Sequence, residues 1–271
     1  MILISIEYRM SQVTPRLTAR SLFLLLALLA ACGRATVDPV TTIPLDSTRT
    51  TFRVLFIGNS LTYANDLPHA LANIVSAAGD QIITDMVAYG DYALVDHYNG
   101  TSEARAKIPS RKWDYVVMQQ GPSSVQLSRD TLIVGARLFN PSIRAAGAMP
   151  AMYMVWPSKD RLSFFGDVIE SYRLAAVDIN AAIFPVGAAW QAAWSTDPSL
   201  PLYSSDNFHP STMGTYLAAI VMYEQITHRD ARQLPAHAEI DGGLTASNAQ
   251  FQTLQNAAHT TNAAYGLVTN R

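Results

Sequence analysis

The stretch Arg53-Val54-Leu55-Phe56-Ile57-Gly58-Asn59-Ser60-Leu61-Thr62 decides how this chain folds. Val54 to Ile57 form an unbroken apolar, β-favouring run, the pattern of a strand buried on both faces. Gly58 and Asn59 break the run, and a helical pattern follows within a few residues. A serine leaving the C-terminal end of a central parallel strand stands at the sheet's carboxyl edge, where open α/β sheets bind ligands. Amides following it can stabilise developing negative charge. Ser60 is therefore the candidate nucleophile, although a serine after a strand also serves as a plain turn or cap.

Outward from this stretch, strands and helices alternate. Asn65-Asp66 can cap a helix with Pro68 in its first turn, and Leu67, Leu71, Ile74, Val75 and Ala78 form its core-facing stripe. Gln81 to Ala88 is a second strand closing at Tyr89-Gly90-Asp91, and Tyr115 to Met118 is a third. Helical residues around 130 to 147 precede a fourth strand, Met152 to Trp156. A helix over about Arg161 to Ala182 leads to a fifth, Ile183 to Val186. Met213, Leu217, Ile220 and Val221 have helical spacing, and a peripheral helix is expected near 245 to 262. Repeated units of this length predict an α/β chain, with a mainly parallel five-stranded sheet between two layers of helices.

Far downstream, Asp206-Asn207-Phe208-His209-Pro210 places a carboxylate three residues before a histidine, in a loop entering a helix. At that spacing the carboxylate can fix the imidazole tautomer and leave the other ring nitrogen to take a proton from serine. An Asp turn and a His cap would look the same in isolation. Gly58-Asn59-Ser60 early and Asp206-x-x-His209-Pro210 late, in that order, resemble the SGNH (GDSL-like) hydrolase family. The likeness runs from about Phe52 to Ile226 and implies a flavodoxin-like three-layer fold. It also implies a Ser60, His209 and Asp206 triad. The family's oxyanion donors map onto the Ser60 amide, the Gly90 amide and a side chain after the third strand.

That third donor is where the chain departs from the family. A Gly-x-Asn-Asp is expected there, yet Gln119-Gln120-Gly121-Pro122-Ser123-Ser124 holds no asparagine. A glutamine amide can donate the same bond from one methylene further away. Gln120-Gly121-x-Ser123 also resembles a carbohydrate-esterase branch of the superfamily, so Gln120 is the expected donor, with Gln119 and Ser123 next. Asn59, Gln119, Tyr89 and Trp156 are further candidates to meet substrate. Tyr63, Tyr92, Trp190 and Trp194 also lie near predicted strand ends, where aromatics can stack on sugar rings or simply pack.

Length and composition set the remaining bounds. A chain of 271 residues suits one globular domain plus a leader, and a net charge of −2 without a basic stripe gives nucleic acid no footing. The single cysteine, Cys32, excludes an internal disulfide and a cysteine-based zinc site. The six histidines are scattered, so neither metal nor cofactor is expected. Arg16 and Arg20 precede a short apolar run, Leu22 to Leu29, that reads as an export signal. It ends in Leu29-Ala30-Ala31-Cys32, which resembles a bacterial lipobox and implies lipidation of Cys32. Gly33 after the cysteine then points to the outer membrane of a Gram-negative envelope. Met10 would give the leader a more ordinary length than Met1. The expected organisation is a signal over 1–32, a tether over 33–50 and a hydrolase-like domain over 51–271, with its core over 52–228 and a peripheral segment over 229–271.

The resemblance implies an esterase, most simply one removing small acyl groups such as O-acetyl from carbohydrate. Two rivals are a lipase or lysophospholipase-like activity on longer chains, and a non-catalytic glycan-binding lipoprotein with a degenerate site.

Overall fold

The structure, a computed structural model, describes residues 51–235 and 244–267. The expected leader, Cys32 and the tether lie outside the described residues.

Five strands pair in one all-parallel sheet: β1 (Thr51–Gly58), β2 (Gln81–Ala88), β3 (Tyr115–Met118), β4 (Met149–Tyr153) and β5 (Ala182–Phe184). Their order is β2-β1-β3-β4-β5. β1 lies inside the sheet between β2 and β3, and Val54 to Ile57 have no exposed surface, which accounts for the absence of polar alternation along it. From β1 the chain steps to β2 on one side, then returns past β1 to β3 on the other. This reversal makes the carboxyl ends of β1 and β3 the topological switch point, where a crevice opens for ligand.

The helices are α1 (Ser60–Tyr63), α2 (Leu67–Ala77), α3 (Leu94–Asn99), α4 (Ala104–Lys107), α5 (Gln126–Ala145), α6 (Phe165–Asp178), α7 (Val186–Thr196), α8 (Thr212–Thr227) and α9 (Asn248–Ala264). α8 packs against both α2 and α9, and α5 against both α3 and α6. Right-handed crossovers in opposite directions put these two groups on opposite faces of the sheet. α8 is buried from Met213 through Thr227, the consequence of lying between α2 and α9 rather than on the surface.

Several predicted boundaries move, for physical reasons. The fourth strand starts at Met149 and ends at Tyr153, short of Trp156. The run Met154-Val155-Trp156 is fully buried without belonging to the strand, so its hydrophobicity records burial and not pairing. The fifth strand stops at Phe184 because Pro185 intervenes and Val186 already begins α7, a helix the sequence pattern did not announce. The long helix expected from Arg161 begins as a 3-10 segment over Lys159–Phe164. It finishes at Asp178, just before Asn180 adopts a left-handed conformation with φ 51°. Asn65 and Asp66 do not cap α2: both have positive φ, and Asp66 makes no side-chain capping bond. α9, expected to be peripheral, buries Phe251, Leu254, Ala257 and Ala258 in the common core.

Candidate active site

Ser60 is the first residue of α1, directly beyond β1. Asn59 caps this turn: its Oδ1 accepts from Leu61 N at 3.1 Å, and its carbonyl accepts from Thr62 N and Tyr63 N. These bonds satisfy the amides after Ser60, while the Ser60 N–H takes no part in them. The half-buried Ser60 therefore presents a hydroxyl and a backbone amide side by side at the switch point.

The turn is braced from below by Gln119 at the end of β3. Its Oε1 accepts from Asn59 N at 2.9 Å and from Thr62 Oγ1 at 2.7 Å. Its Nε2 donates to Asn59 Oδ1 at 2.8 Å and to the Gln120 carbonyl. All four bonding positions of a fully buried amide are thus filled within the protein. Gln119 is a brace, and the expectation that it meets substrate is corrected. Gln120 is corrected for the same reason. Its Nε2 hydrogens go to Ser123 Oγ at 2.9 Å and Ser128 O at 3.3 Å, and its Oε1 accepts from Leu94 N. Neither hydrogen is left for an oxyanion. Asn59, 6 % exposed, caps α1 and donates Nδ2 to Tyr92 O at 3.1 Å, so it too shapes the turn instead of contacting substrate.

Gly90 follows β2 in an exposed turn whose N–H makes no described hydrogen bond. A Cβ built on it would lie 3.4 Å from the hydroxyl of Tyr63, so this glycine faces the turn that carries Ser60. Tyr63 and Tyr89 flank it and are 42 % and 40 % exposed; Tyr89 donates its hydroxyl to Glu103 at 2.7 Å. Beneath them His97, fully buried, donates Nε2–H to the Gly58 carbonyl at 2.7 Å, a carbonyl that also receives Tyr89 N. That bond fixes the tautomer, so Nδ1 accepts from Ser102 Oγ at 3.0 Å. Burial holds the His97 pKa below its ordinary value and keeps the ring neutral. His97 belongs to no motif, and nothing in the local sequence marks it.

Asp206 and His209 meet as their spacing predicts. Asp206 Oδ2 is 2.6 Å from His209 Nδ1, and Oδ1 accepts from Ser204 Oγ, Phe208 N and His209 N at 2.6 to 2.9 Å. The Ser204 hydroxyl, then His209, holds the Asp206 pKa far below the usual carboxylate range. Four donors therefore converge on one carboxylate, which orients the imidazole and stays ionised. His209 Nε2 has no described partner. The loop is closed by a Tyr203↔Pro210 bridge and by Ser204 N donating to His209 O, with Asn207 in a left-handed conformation at φ 60°.

Trp156 supports this loop from inside. Its ring stacks on Trp190 at 3.7 Å and its Nε1 donates to Phe208 O at 3.0 Å. Both tryptophans are fully buried, which corrects the expectation that Trp156 contacts substrate. Beside the loop lies a cavity of about 530 Å³, with Trp194 and Tyr203 among its walls and Ser204, Asn207 and Lys159 at its polar edge. Asn65, five residues past Ser60, ties the two segments together by donating to Pro210 O, next to His209. Away from this edge, Glu224, Asp230 and His259 bring ligand atoms within 4.8 Å of one another, but Asn262 and Arg232 already bond the two carboxylates.

No family model and no curated protein matches the sequence. Solved structures do resemble the fold. A DUF4886 family protein from Bacteroides uniformis is 20% identical with a TM-score of 0.67, over 81% of this chain and 97% of that one. A protein from Slackia heliotrinireducens, described provisionally as an SGNH hydrolase, is 29% identical with a TM-score of 0.55, over 65% of this chain and 98% of that one. The acetyl xylan esterase AlAXEase is 15% identical with a TM-score of 0.53, over 65% of this chain and 100% of that one.

Proposed function

This chain has the SGNH hydrolase fold, and we propose that it is a serine ester hydrolase in which Ser60 is the nucleophile, His209 the base and Asp206 its orienting carboxylate. The observation that carries the reading is the 2.6 Å contact of His209 Nδ1 with a carboxylate whose other oxygen holds three donors. In the first step Ser60 Oγ bonds to the ester carbonyl carbon while its proton passes to His209 Nε2. The tetrahedral oxyanion is held by the amides of Ser60 and Gly90, each such donor being worth roughly 3 to 4 kcal/mol of barrier. Its collapse breaks the ester bond, and the imidazolium gives the proton to the departing alcohol. Water then releases the acid from the acyl-enzyme by the same two transfers.

For substrate we propose short acyl esters on carbohydrate. The aromatic walls and polar edge of the cavity beside Asn207 suit a sugar ring, and exposed Tyr63 and Tyr89 offer faces beside Gly90. A second reading, hydrolysis of longer acyl chains, draws support from Val125 and Leu127, which are 48% and 79% exposed after β3. We further propose export and lipid anchoring in a bacterial envelope through Cys32. Radiolabelled palmitate entering the wild-type precursor but not Cys32→Ser supports the anchor; equal labelling refutes it.

The test of function is hydrolysis of p-nitrophenyl acetate, butyrate and octanoate by the wild-type protein and by Ser60→Ala. Activity greatest on acetate and abolished in the variant is expected. Activity rising with chain length selects the second reading, and equal rates in the two proteins reject a Ser60 nucleophile.

A further inference from the structure

Two catalytic segments from opposite ends of a chain must be held to a fraction of an ångström if serine and histidine are to exchange a proton. Between residues 58–66 and 204–215, the described hydrogen bonds all come from one side chain. Asn65 Nδ2 donates one hydrogen to Pro210 O and the other to Thr215 Oγ1, each at 2.9 Å. Pro210 follows His209 directly, and Thr215 lies in the first turns of α8, 1 % exposed. Asn65 therefore grips both the loop that carries the imidazole and the helix on which that loop is mounted.

The backbone at Asn65 is set for this reach. It adopts φ 51° and ψ 27°, and Asp66 follows at φ 48° and ψ 59°. Consecutive left-handed residues other than glycine are unfavourable and persist where the surroundings hold them. Asparagine tolerates this conformation better than most residues and also supplies the amide. Helix capping does not account for the geometry, because neither side chain caps α2. We infer that Asn65 is a positioning residue that fixes the His209 loop onto the Ser60 turn. The inference rests on the assignment of Ser60 and His209 above.

Its test compares the full-length protein with Asn65→Gly, Asn65→Asp and Thr215→Val, using Ser60→Ala as the zero of activity. Asn65→Gly keeps the left-handed turn without strain and loses both bonds; Asn65→Asp keeps the shape but faces an oxygen toward the Pro210 carbonyl. Both are expected to lower kcat on p-nitrophenyl acetate by about 10- to 100-fold with KM nearly unchanged. Asn65→Gly should stay fully folded at the assay temperature, its unfolding midpoint lowered by only a few degrees. Amide hydrogen exchange over residues 203–211 should quicken. Thr215→Val should lower kcat in the wild-type background and add nothing to Asn65→Gly. A wild-type kcat in Asn65→Gly, or a loss of rate matched by a general loss of stability, overturns the inference. If the wild-type protein shows no Ser60-dependent turnover, the esterase reading fails separately. Exchange then decides whether Asn65 holds the loop, and unchanged exchange rejects it.

Discussion

Asn59 and Gln119 exchange two hydrogen bonds: Asn59 N–H donates to Gln119 Oε1 at 2.9 Å, and Gln119 Nε2 donates to Asn59 Oδ1 at 2.8 Å. The pair joins the end of β1 to the end of β3 across the switch point. Since Asn59 also caps α1, the residue before Ser60 is held through its backbone and its side chain alike. A glutamine just beyond the end of β3 thus sets the nucleophile's geometry without approaching the ester.

Replacing Gln119 by Leu roughly keeps the volume and leaves Asn59 N and Thr62 Oγ1 without partners in a buried site, while Asn59 Oδ1 keeps only Leu61 N. Each buried group left unpaired costs about 1 to 3 kcal/mol, with some relief from rearrangement. Gln119→Leu is expected to lose about 3 kcal/mol in a urea titration and at least tenfold in kcat. A fully stable variant with normal kcat would show that the brace is dispensable.

Gly58 is the second element of the brace. A Cβ there would lie 2.6 Å from Gln119 Oε1 and closer still to Thr62 Oγ1. Both atoms are buried and bonded to one another, so neither can yield alone. Gly58→Ala should destabilise by about 1 to 3 kcal/mol. Combining it with Thr62→Ser should recover less than half, because Oγ1 remains in place. Thermal unfolding of the two variants checks the order.

The architecture was legible because its signals are local. The apolar run of β1, the exact limits of β2 and β3, and the Asp206–His209 spacing each reflect burial or geometry within a few residues. The braces were not legible, because they join residues about 40 to 150 positions apart: His97 to Gly58, Gln119 to Asn59, Asn65 to Pro210. Gln119 and Gln120 were readable as amides after a strand, but the direction of each amide depends on neighbours such as Leu94 and Ser128. Trp156 misled for a related reason: a tryptophan near a strand end can face solvent or core, and here Trp190 covers it.

His97 gives the fold a pH dependence of definite sign. Its native pKa is lowered by burial, so at mildly acidic pH the unfolded chain binds a proton that the native chain does not. Its contribution is complete above the unfolded imidazole value of about 6.5 and declines as pH falls toward the lowered native value. The slope from one such proton approaches about 1.4 kcal/mol per pH unit. His97→Gln, which can still donate to Gly58 O, should flatten stability against pH below about 6.5 relative to wild type. Parallel curves for the two proteins would show that His97 does not titrate across unfolding.

At the far end of α8 from the loop, Glu224 is fully buried. Its Oε1 meets His259 Nδ1 of α9 at 2.7 Å, and its Oε2 receives Asn262 Nδ2 at 2.8 Å. This polar knot, with Phe251 and Leu254 packed nearby in the core, pins the C-terminal helix to the domain. His259→Ala removes one partner of the buried Glu224 side chain, which keeps Asn262 Nδ2 and Ala231 N, and should cost about 1 to 3 kcal/mol. Replacing both residues by Leu exchanges the polar pair for apolar contact and should recover part of that loss. Thirteen residues of helix, about 20 Å, separate Glu224 from Ser211, so kcat at 25 °C should be unchanged in folded protein. Urea titrations of the single and double variants, read beside kcat, decide the matter. A single variant as stable as wild type would show that α9 is held by its apolar face alone, and a drop in kcat would tie this distant knot to the catalytic edge.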